Sequence, residues 1–167
     1  MTTLRPMTEA DLDFLARLYA STRSEEMAQV PWSAEQKADF LAFQFTAQHT
    51  HYQEHFAAAS FDVVEVDGVA AGRLYVERRE DEIRLIDIAL LPDFRGRGIG
   101  SELLGDLIDE AIRAALPLRI HVEHNNPAMR LYQRLGFEKI DEHGVYHLME
   151  RPGRAAQEST THQGDLQ

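Results

Sequence analysis

The sequence predicts a mixed α/β layer fold, on three observations. Segments of alternating or near-continuous aliphatic residues take turns with segments whose apolar residues recur every three to four positions. Strong turn and capping signals separate them, chief among them Asp67-Gly68 between two strand-like runs and Ser33-Ala34-Glu35-Gln36 ahead of a helical one. The length of 167 residues and the 44% hydrophobic content suit one domain with its own core. The expected order is β-α-α-β-β-β-α-β-α-β-β.

Each element has its own signal. Leu4-Arg5-Pro6 is a short first strand, and Thr8-Glu9-Ala10-Asp11 resembles a capping box ahead of a helix carrying Leu12, Leu15, Leu18 and Tyr19. The helix after Ser33 shows two apolar stripes, Phe40, Phe43 and Ala47 on one and Leu41, Phe45, Tyr52 and Phe56 on the other. Two stripes imply a helix covered on more than one side or a kinked pair, with a boundary near residues 49–51. Phe61 to Val66 and Val69 to Val76 form a hairpin. Ile83 to Leu91, nearly continuous in aliphatics, reads as a strand covered on both faces. Leu103, Leu104, Leu107, Ile108 and Ala111 mark a helix, Leu118 to Glu123 a strand, and Ala128, Leu131, Tyr132 and Leu135 a further helix. Asn126 caps that helix, Pro127 suits its first turn and Gly136 its end. Phe137 to Ile140 and Val145 to Leu148 close the chain as a hairpin. The folded domain spans residues 1–151. Residues 152–167, with Leu166 their only large aliphatic side chain, are expected to form a disordered tail.

Composition excludes several classes of function. With no cysteine there is no disulfide framework and no cysteine-ligated zinc or iron–sulfur site. Lys and Arg total 17 against 28 acidic residues, a formal charge of −11, which disfavours nonspecific nucleic-acid binding. No apolar run spans a membrane and no secretory leader precedes the first strand, so a soluble, cytoplasmic protein is expected. His51 and His55 stand at a spacing that can grip a metal, with His49 nearby. They lack a third ligand in motif context and have polar flanks, so a solvated helix face is expected and no metal site is assigned.

The most informative segment is Pro92-Asp93-Phe94-Arg95-Gly96-Arg97-Gly98-Ile99-Gly100-Ser101, between a strand and an amphipathic helix. Alternate glycines let successive N–H groups face one point, the free N–H groups and positive dipole end of the helix add to them, and Arg95 and Arg97 supply charge. The segment is suited to an anion, a pyrophosphate above all. It is not a P-loop, for no Lys-Ser/Thr follows the last glycine. Nor is it a dinucleotide fingerprint, for Ser101 and Leu103 stand where that pattern needs its third glycine.

The spelling Arg95-x-x-Gly98-x-Gly100 resembles the acetyl-coenzyme A segment of the GNAT-type N-acetyltransferase superfamily. So does the later run Asn125 to Phe137, which is similar to that family's Asn-x-x-Ala-x-x-Leu-Tyr-x-x-x-Gly-Phe signature. The resemblance in element order covers about residues 2–150; specific motifs lie within residues 83–140. It implies a single domain built on a mixed, mostly antiparallel central sheet with a splayed pair of strands and helices on both faces. The implied activity is transfer of an acetyl group from acetyl-coenzyme A to a primary amine, with a homodimer also compatible.

By the same resemblance, Arg95, Gly96, Arg97, Gly98, Ile99, Gly100 and Ser101 hold the diphosphate. Ile88, Ala89 and Leu90 pair with the pantetheine arm, and Asn125 contacts the cofactor. Tyr132 faces the sulfur as general acid, although its spacing from Ala128 also suits plain core packing. Some family members carry a glutamate near the start of the splayed strand; here Arg84 stands four residues before Ile88. Glu77, Asp87, Glu123 and His121 are the candidate bases, with water-mediated deprotonation as credible. Trp32, Phe40, Phe43 and Tyr52 are candidates to line the acceptor pocket or to pack in the core. Seven acidic residues between Glu65 and Asp87 favour a cationic amine. Without a cysteine to carry an acyl group, direct attack is expected. A second reading is a catalytically weak acetyl-coenzyme A sensor or partner-binding module; Arg84 favours it and Tyr132 argues against it.

Overall fold

The computed structural model describes residues 1–153; of the expected tail, everything from residue 154 lies outside the described residues. The elements are β1 (Thr2–Pro6), α1 (Leu12–Thr22), α2 (Ser24–Ala28), α3 (Ala34–His55), β2 (Ser60–Val66), β3 (Val69–Arg78), β4 (Ile83–Leu90), α4 (Ile99–Ala114), β5 (Leu118–Glu123), α5 (Met129–Arg134), β6 (Glu138–His143) and β7 (Tyr146–Arg151). The strands form one sheet in the order β1-β2-β3-β4-β5-β7-β6. β4 and β5 are parallel, whereas β1–β2, β5–β7 and β6–β7 are antiparallel. No helix among the described residues is long and apolar enough to cross a membrane.

The chain divides into two compact units, one joining Met1–Tyr75 to Asp87–Gly100, the other joining Val76–Ile86 to the chain from Ser101 onward. In the first, α1 buries Phe14, Leu15, Leu18 and Tyr19 in a cluster with Phe45 and Val63. The capping box opens the 3₁₀ turn Glu9–Asp11 that leads into α1: Thr8 N–H donates to Asp11 Oδ2 at 2.8 Å, and both Asp11 oxygens accept from Arg5, at 2.8 and 2.9 Å. Those Arg5 bonds hold the Asp11 carboxyl down to about 2. Asp67 and Gly68 both have positive φ, 51° and 82°, as the two-residue turn between β2 and β3 requires.

The long helix departs from expectation. α3 is one helix of 22 residues running straight through residues 49–51, capped reciprocally by Ser33 and Gln36 at 3.1 and 2.9 Å. Of its two apolar stripes only Phe45 is buried, and Phe43 is 73% exposed. A helix about 33 Å long needs more core to cover two sides than this unit has, so one stripe packs and the other faces outward. The short helix α2 was not expected; its residues, SEEMA, carry no apolar period and none is buried.

In the second unit, α4 buries Leu103, Leu104, Leu107, Ile108 and Ala111, and β5 buries Leu118, Ile120 and Val122. The parallel β4–β5 ladder covers Ile83↔Leu118, Arg84↔Arg119 and Leu85↔Ile120, after which β4 runs on to Leu90. Ile86 to Leu90 are all half-buried, so only the start of this strand has the full cover its aliphatic run suggested. The edge strand β6 is exposed throughout and longer than expected. An irregularity between Lys139 and Asp141 takes Ile140 out of register and leaves it 47% exposed.

Candidate active site

The glycine-rich segment forms an open cradle. After β4, Pro92–Phe94 make one 3₁₀ turn, closed by Phe94 N–H to Leu91 O at 2.9 Å. Gly96 and Gly98 then adopt left-handed conformations, φ +76° and +80°, separated by a single residue, and α4 begins at Ile99. Left-handed residues alternating with ordinary ones turn successive N–H groups to the same side, an anion-binding concavity. A Cβ placed on Gly96, Gly98 or Gly100 would meet nothing within 4 Å, so the cradle has room for a ligand. Ile99 is buried and anchors the turn. The first four N–H groups of α4, from Ile99 to Glu102, have no acceptor within the helix, and its 16 residues carry a full macrodipole. Arg95 donates through Nε to Leu90 O at 2.9 Å and through Nη2 to Ser21 Oγ at 3.4 Å. The Arg97 guanidinium lies 5.1 Å from the Phe94 ring centroid. Both cations are thus held beside the loop. The donor set, two glycine hinges and a helix start flanked by two guanidinium groups, fits a diphosphate.

The end of β4 is fixed residue by residue. Asp87 is ion-paired with Arg73 of β3, which is 4% exposed and also donates to Gln48 Oε1 of α3 at 2.8 Å. A Cβ on Gly72 would fall 2.2 Å from Ala89 O, so β3 and β4 approach there only because residue 72 is glycine. Leu91 N–H donates to Ala71 O at 2.8 Å. Burial alone would make Arg73 easier to deprotonate, but Asp87, Tyr75 and Tyr52 together more than offset it and the net displacement is upward. Burial, with the charge of Arg73, pushes His49 down.

Asp87, Glu77 and His121 are each engaged by an arginine. Asp87 neutralises Arg73, and Glu77, 8% exposed, is paired with Arg79. His121 accepts through Nδ1 from Arg84 Nη1 at 3.2 Å. A guanidinium only donates, so the imidazole must be neutral with its hydrogen on Nε2. Burial first, then Arg84 and His143, lower its pKa, against smaller opposite effects of Glu82 and Asp141. While that bond holds, His121 has no lone pair left to take a proton. Glu123 sits half-buried at the end of β5.

Tyr132, on α5, is 3% exposed and packs edge to face with Phe137 at 5.7 Å. Asn126 Oδ1 accepts from Ala128 N–H at 2.8 Å and turns the chain into α5, while Asn125 stands exposed beside it. The four aromatic candidates are not gathered. Trp32 and Phe40 meet edge to face at 5.2 Å and Tyr52 packs on Tyr75 at 5.9 Å. Phe40 and Tyr52 are twelve residues apart on α3, about 18 Å along the axis, too far for one small pocket. His51 and His55 stack at 4.1 Å, and no group of three metal-binding side chains is found among the described residues.

Five of the seven acidic residues between Glu65 and Asp87 are ion-paired: Glu65 with Arg5, Asp67 with the N-terminus, Glu77 with Arg79, Glu82 with Arg84 and Arg119, and Asp87 with Arg73. Glu82 is 5% exposed; burial pushes its carboxyl up, and the two arginines more than reverse this. The acidic run is mostly internal bracing. Gly72, Arg73 and Gln48 were not singled out from sequence, although a glycine and an arginine inside an apolar strand run, Val69 to Val76, are a readable sign of close approach and buried pairing.

The mixed sheet thus carries a glycine-rich anion cradle between β4 and α4. The chain belongs to the acetyltransferase (GNAT) family, whose profile matches residues 16–137. It is 36% identical over 75 residues to the [ribosomal protein bS18]-alanine N-acetyltransferase of Haemophilus influenzae, covering 44% of this chain and 51% of that one. It is 44% identical over 61 residues to the Salmonella typhimurium enzyme of the same name, covering 35% and 41%. The chain thus spans about half or less of the length of these relatives. Among solved structures, the Thermoplasma acidophilum PaiA N-acetyltransferase in complex with coenzyme A superposes with a TM-score of 0.69 at 17% identity, covering 91% of this chain and 99% of that one. The Escherichia coli ribosomal-protein-S18-alanine N-acetyltransferase gives 0.60 at 24%, covering 92% and 94%. These two likenesses show the fold.

Proposed function

We propose that this chain is an acetyl-coenzyme A-dependent N-acetyltransferase that acts on a primary amine by direct attack. The observation that carries the reading is the open cradle of Gly96, Gly98 and the start of α4 directly after β4, in a chain of the GNAT family. Backbone N–H groups from Arg95 to Ser101 would hold the diphosphate, with Arg95 and Arg97 offsetting its charge. Ile88, Ala89 and Leu90 would pair with the amide-bearing pantetheine arm as a neighbouring strand would, and Asn125 would hold a further part of the arm. When bound, acetyl-coenzyme A supplies an activated acyl thioester. A backbone N–H of β4 would polarise its carbonyl, and the Tyr132 hydroxyl would protonate the leaving sulfur. No cysteine is present to form an acyl-enzyme, which supports direct attack by the amine. With Glu77 and Asp87 paired and His121 bonded at Nδ1, the proton of the attacking amine would leave to water.

For the acceptor, the internal pairing of the acidic residues removes most of the case for a small cationic amine. The relatives named for acetylating an alanine of a ribosomal protein make the α-amine of a peptide N-terminus the first acceptor to test. A cytoplasmic location, where acetyl-coenzyme A and nascent chains meet, goes with this reading. The pairing of Glu77 and Asp87 also favours a second reading, a coenzyme A-binding sensor with weak catalysis. Release of free thiol from acetyl-coenzyme A, measured with N-terminal peptides and with small amines, separates the two. Turnover on a peptide is the expected result; tight acetyl-coenzyme A binding with no turnover on any amine would establish the sensor instead.

A further inference from the structure

Arg73 is an expensive residue for its place. It lies in β3 at 4% exposure, uses one nitrogen, Nη2, for both Gln48 and Asp87, and leaves Nε buried with no hydrogen-bond partner. The hydroxyl of Tyr75, whose ring centroid is 5.0 Å from the guanidinium carbon, is likewise buried without a partner. Both atoms are sealed from bulk solvent. A buried ion pair with orphaned donors is a poor source of stability; two packed apolar side chains would serve at least as well. Its value must lie in where it holds its partner. That partner, Asp87, immediately precedes Ile88–Leu90, and the next fixed points follow at once: Ala89 O against Gly72, Leu90 O on Arg95 and Leu91 N–H on Ala71.

We propose that Arg73 is a positioning residue: with Gly72 beside it, it sets the place of Ile88–Leu90 and so the affinity for coenzyme A, without touching the cofactor. This rests on the assignment of that strand to the pantetheine arm. The guanidinium, tied to α3 through Gln48 and to β4 through Asp87, fixes β4 along its length, and Gly72 fixes its approach to β3. An apolar pair can fill the same volume but supplies no directional bond.

The test is the double variant Arg73→Met/Asp87→Leu, with coenzyme A binding read by calorimetry and amide exchange read at Leu91. Coenzyme A binding needs no proton acceptor, so any part played by Asp87 as a base does not enter. The expected result is a folded protein with a melting temperature at or above that of the wild type, a Kd raised roughly ten- to a hundredfold, and faster exchange of the Leu91 amide. A folded double variant with wild-type Kd and wild-type exchange would overturn the proposal. Arg73→Lys, which keeps the charge and loses the planar fork, provides the second reading should the double variant not fold: weaker binding supports the proposal and unchanged binding overturns it. If the wild type does not bind coenzyme A, the functional reading fails, and exchange at Leu91 in the variants still decides whether Arg73 braces the strand.

Discussion

Single residues carry most of the chemistry proposed here. Tyr132 is buried against Phe137, a packing role that phenylalanine can fill as well, so Tyr132→Phe isolates the hydroxyl. If that hydroxyl protonates the sulfur, kcat falls about ten- to a hundredfold while coenzyme A affinity stays at the wild-type level; an unchanged kcat would return Tyr132 to the core. Gly72 is decided by sterics. A Cβ placed 2.2 Å from Ala89 O forces β3 and β4 apart, so Gly72→Ala is expected to cost about 1–3 kcal/mol in denaturant unfolding and to weaken coenzyme A binding. The residue scale is also where sequence reading was least complete. Arg95, Gly96, Gly98 and Tyr132 stand in local motifs, so the family resemblance could name them as candidates. Arg73 could not be given its partner, because Gln48 and Asp87 are 25 and 14 positions away and meet it only in the folded chain.

At the scale of elements, capping and turn chemistry made most boundaries legible. The Ser33–Gln36 box starts α3 and Asp67-Gly68 closes the β2–β3 hairpin where the residues said they would. What failed to show was the amount of cover each element receives. α3 has two apolar stripes and one buried residue, and β4 has a continuous aliphatic run but a paired ladder with β5 only at its start. Cover depends on neighbours that no local pattern records. The junction of β1 and α1 gives a pH-dependent prediction. The Arg5 bonds lower the Asp11 carboxyl from 3.8 to about 2 in the folded state. Its contribution is therefore complete above about pH 4 and is lost as pH falls through 2. A displacement of this size is worth at most about 2–3 kcal/mol, and the part-exposed Arg5 reduces that toward about 1 kcal/mol. Asp11→Asn should remove this amount at pH 7 and flatten the acid limb of the unfolding curve; a parallel loss at pH 2 and pH 7 would contradict the assignment.

For the whole molecule, the formal charge of −11 describes the chain better than its sites. Cations are gathered where they pair: Arg73 with Asp87, Arg84 and Arg119 with Glu82, Arg5 with Asp11 and Glu65. The acidic strands therefore project less field than their count suggests, and raising salt from low to physiological ionic strength should change the KM of an amine acceptor less than about twofold. A steep rise would restore the cationic-acceptor reading. The fold class and the glycine-rich turn after β4 were legible because both rest on contiguous residues; the acceptor was not, because no contiguous motif encodes it. The cradle itself is decided by calorimetric titration of coenzyme A into the wild type, Gly98→Ala and Gly98→Asp. Alanine carries the strain of a side chain at φ +80° with no charge, and aspartate adds a carboxylate where the diphosphate would lie. Binding by the wild type, a modest loss in Gly98→Ala and a loss of at least about a hundredfold in Gly98→Asp are expected; equal affinity in Gly98→Asp and the wild type would show that the diphosphate lies elsewhere.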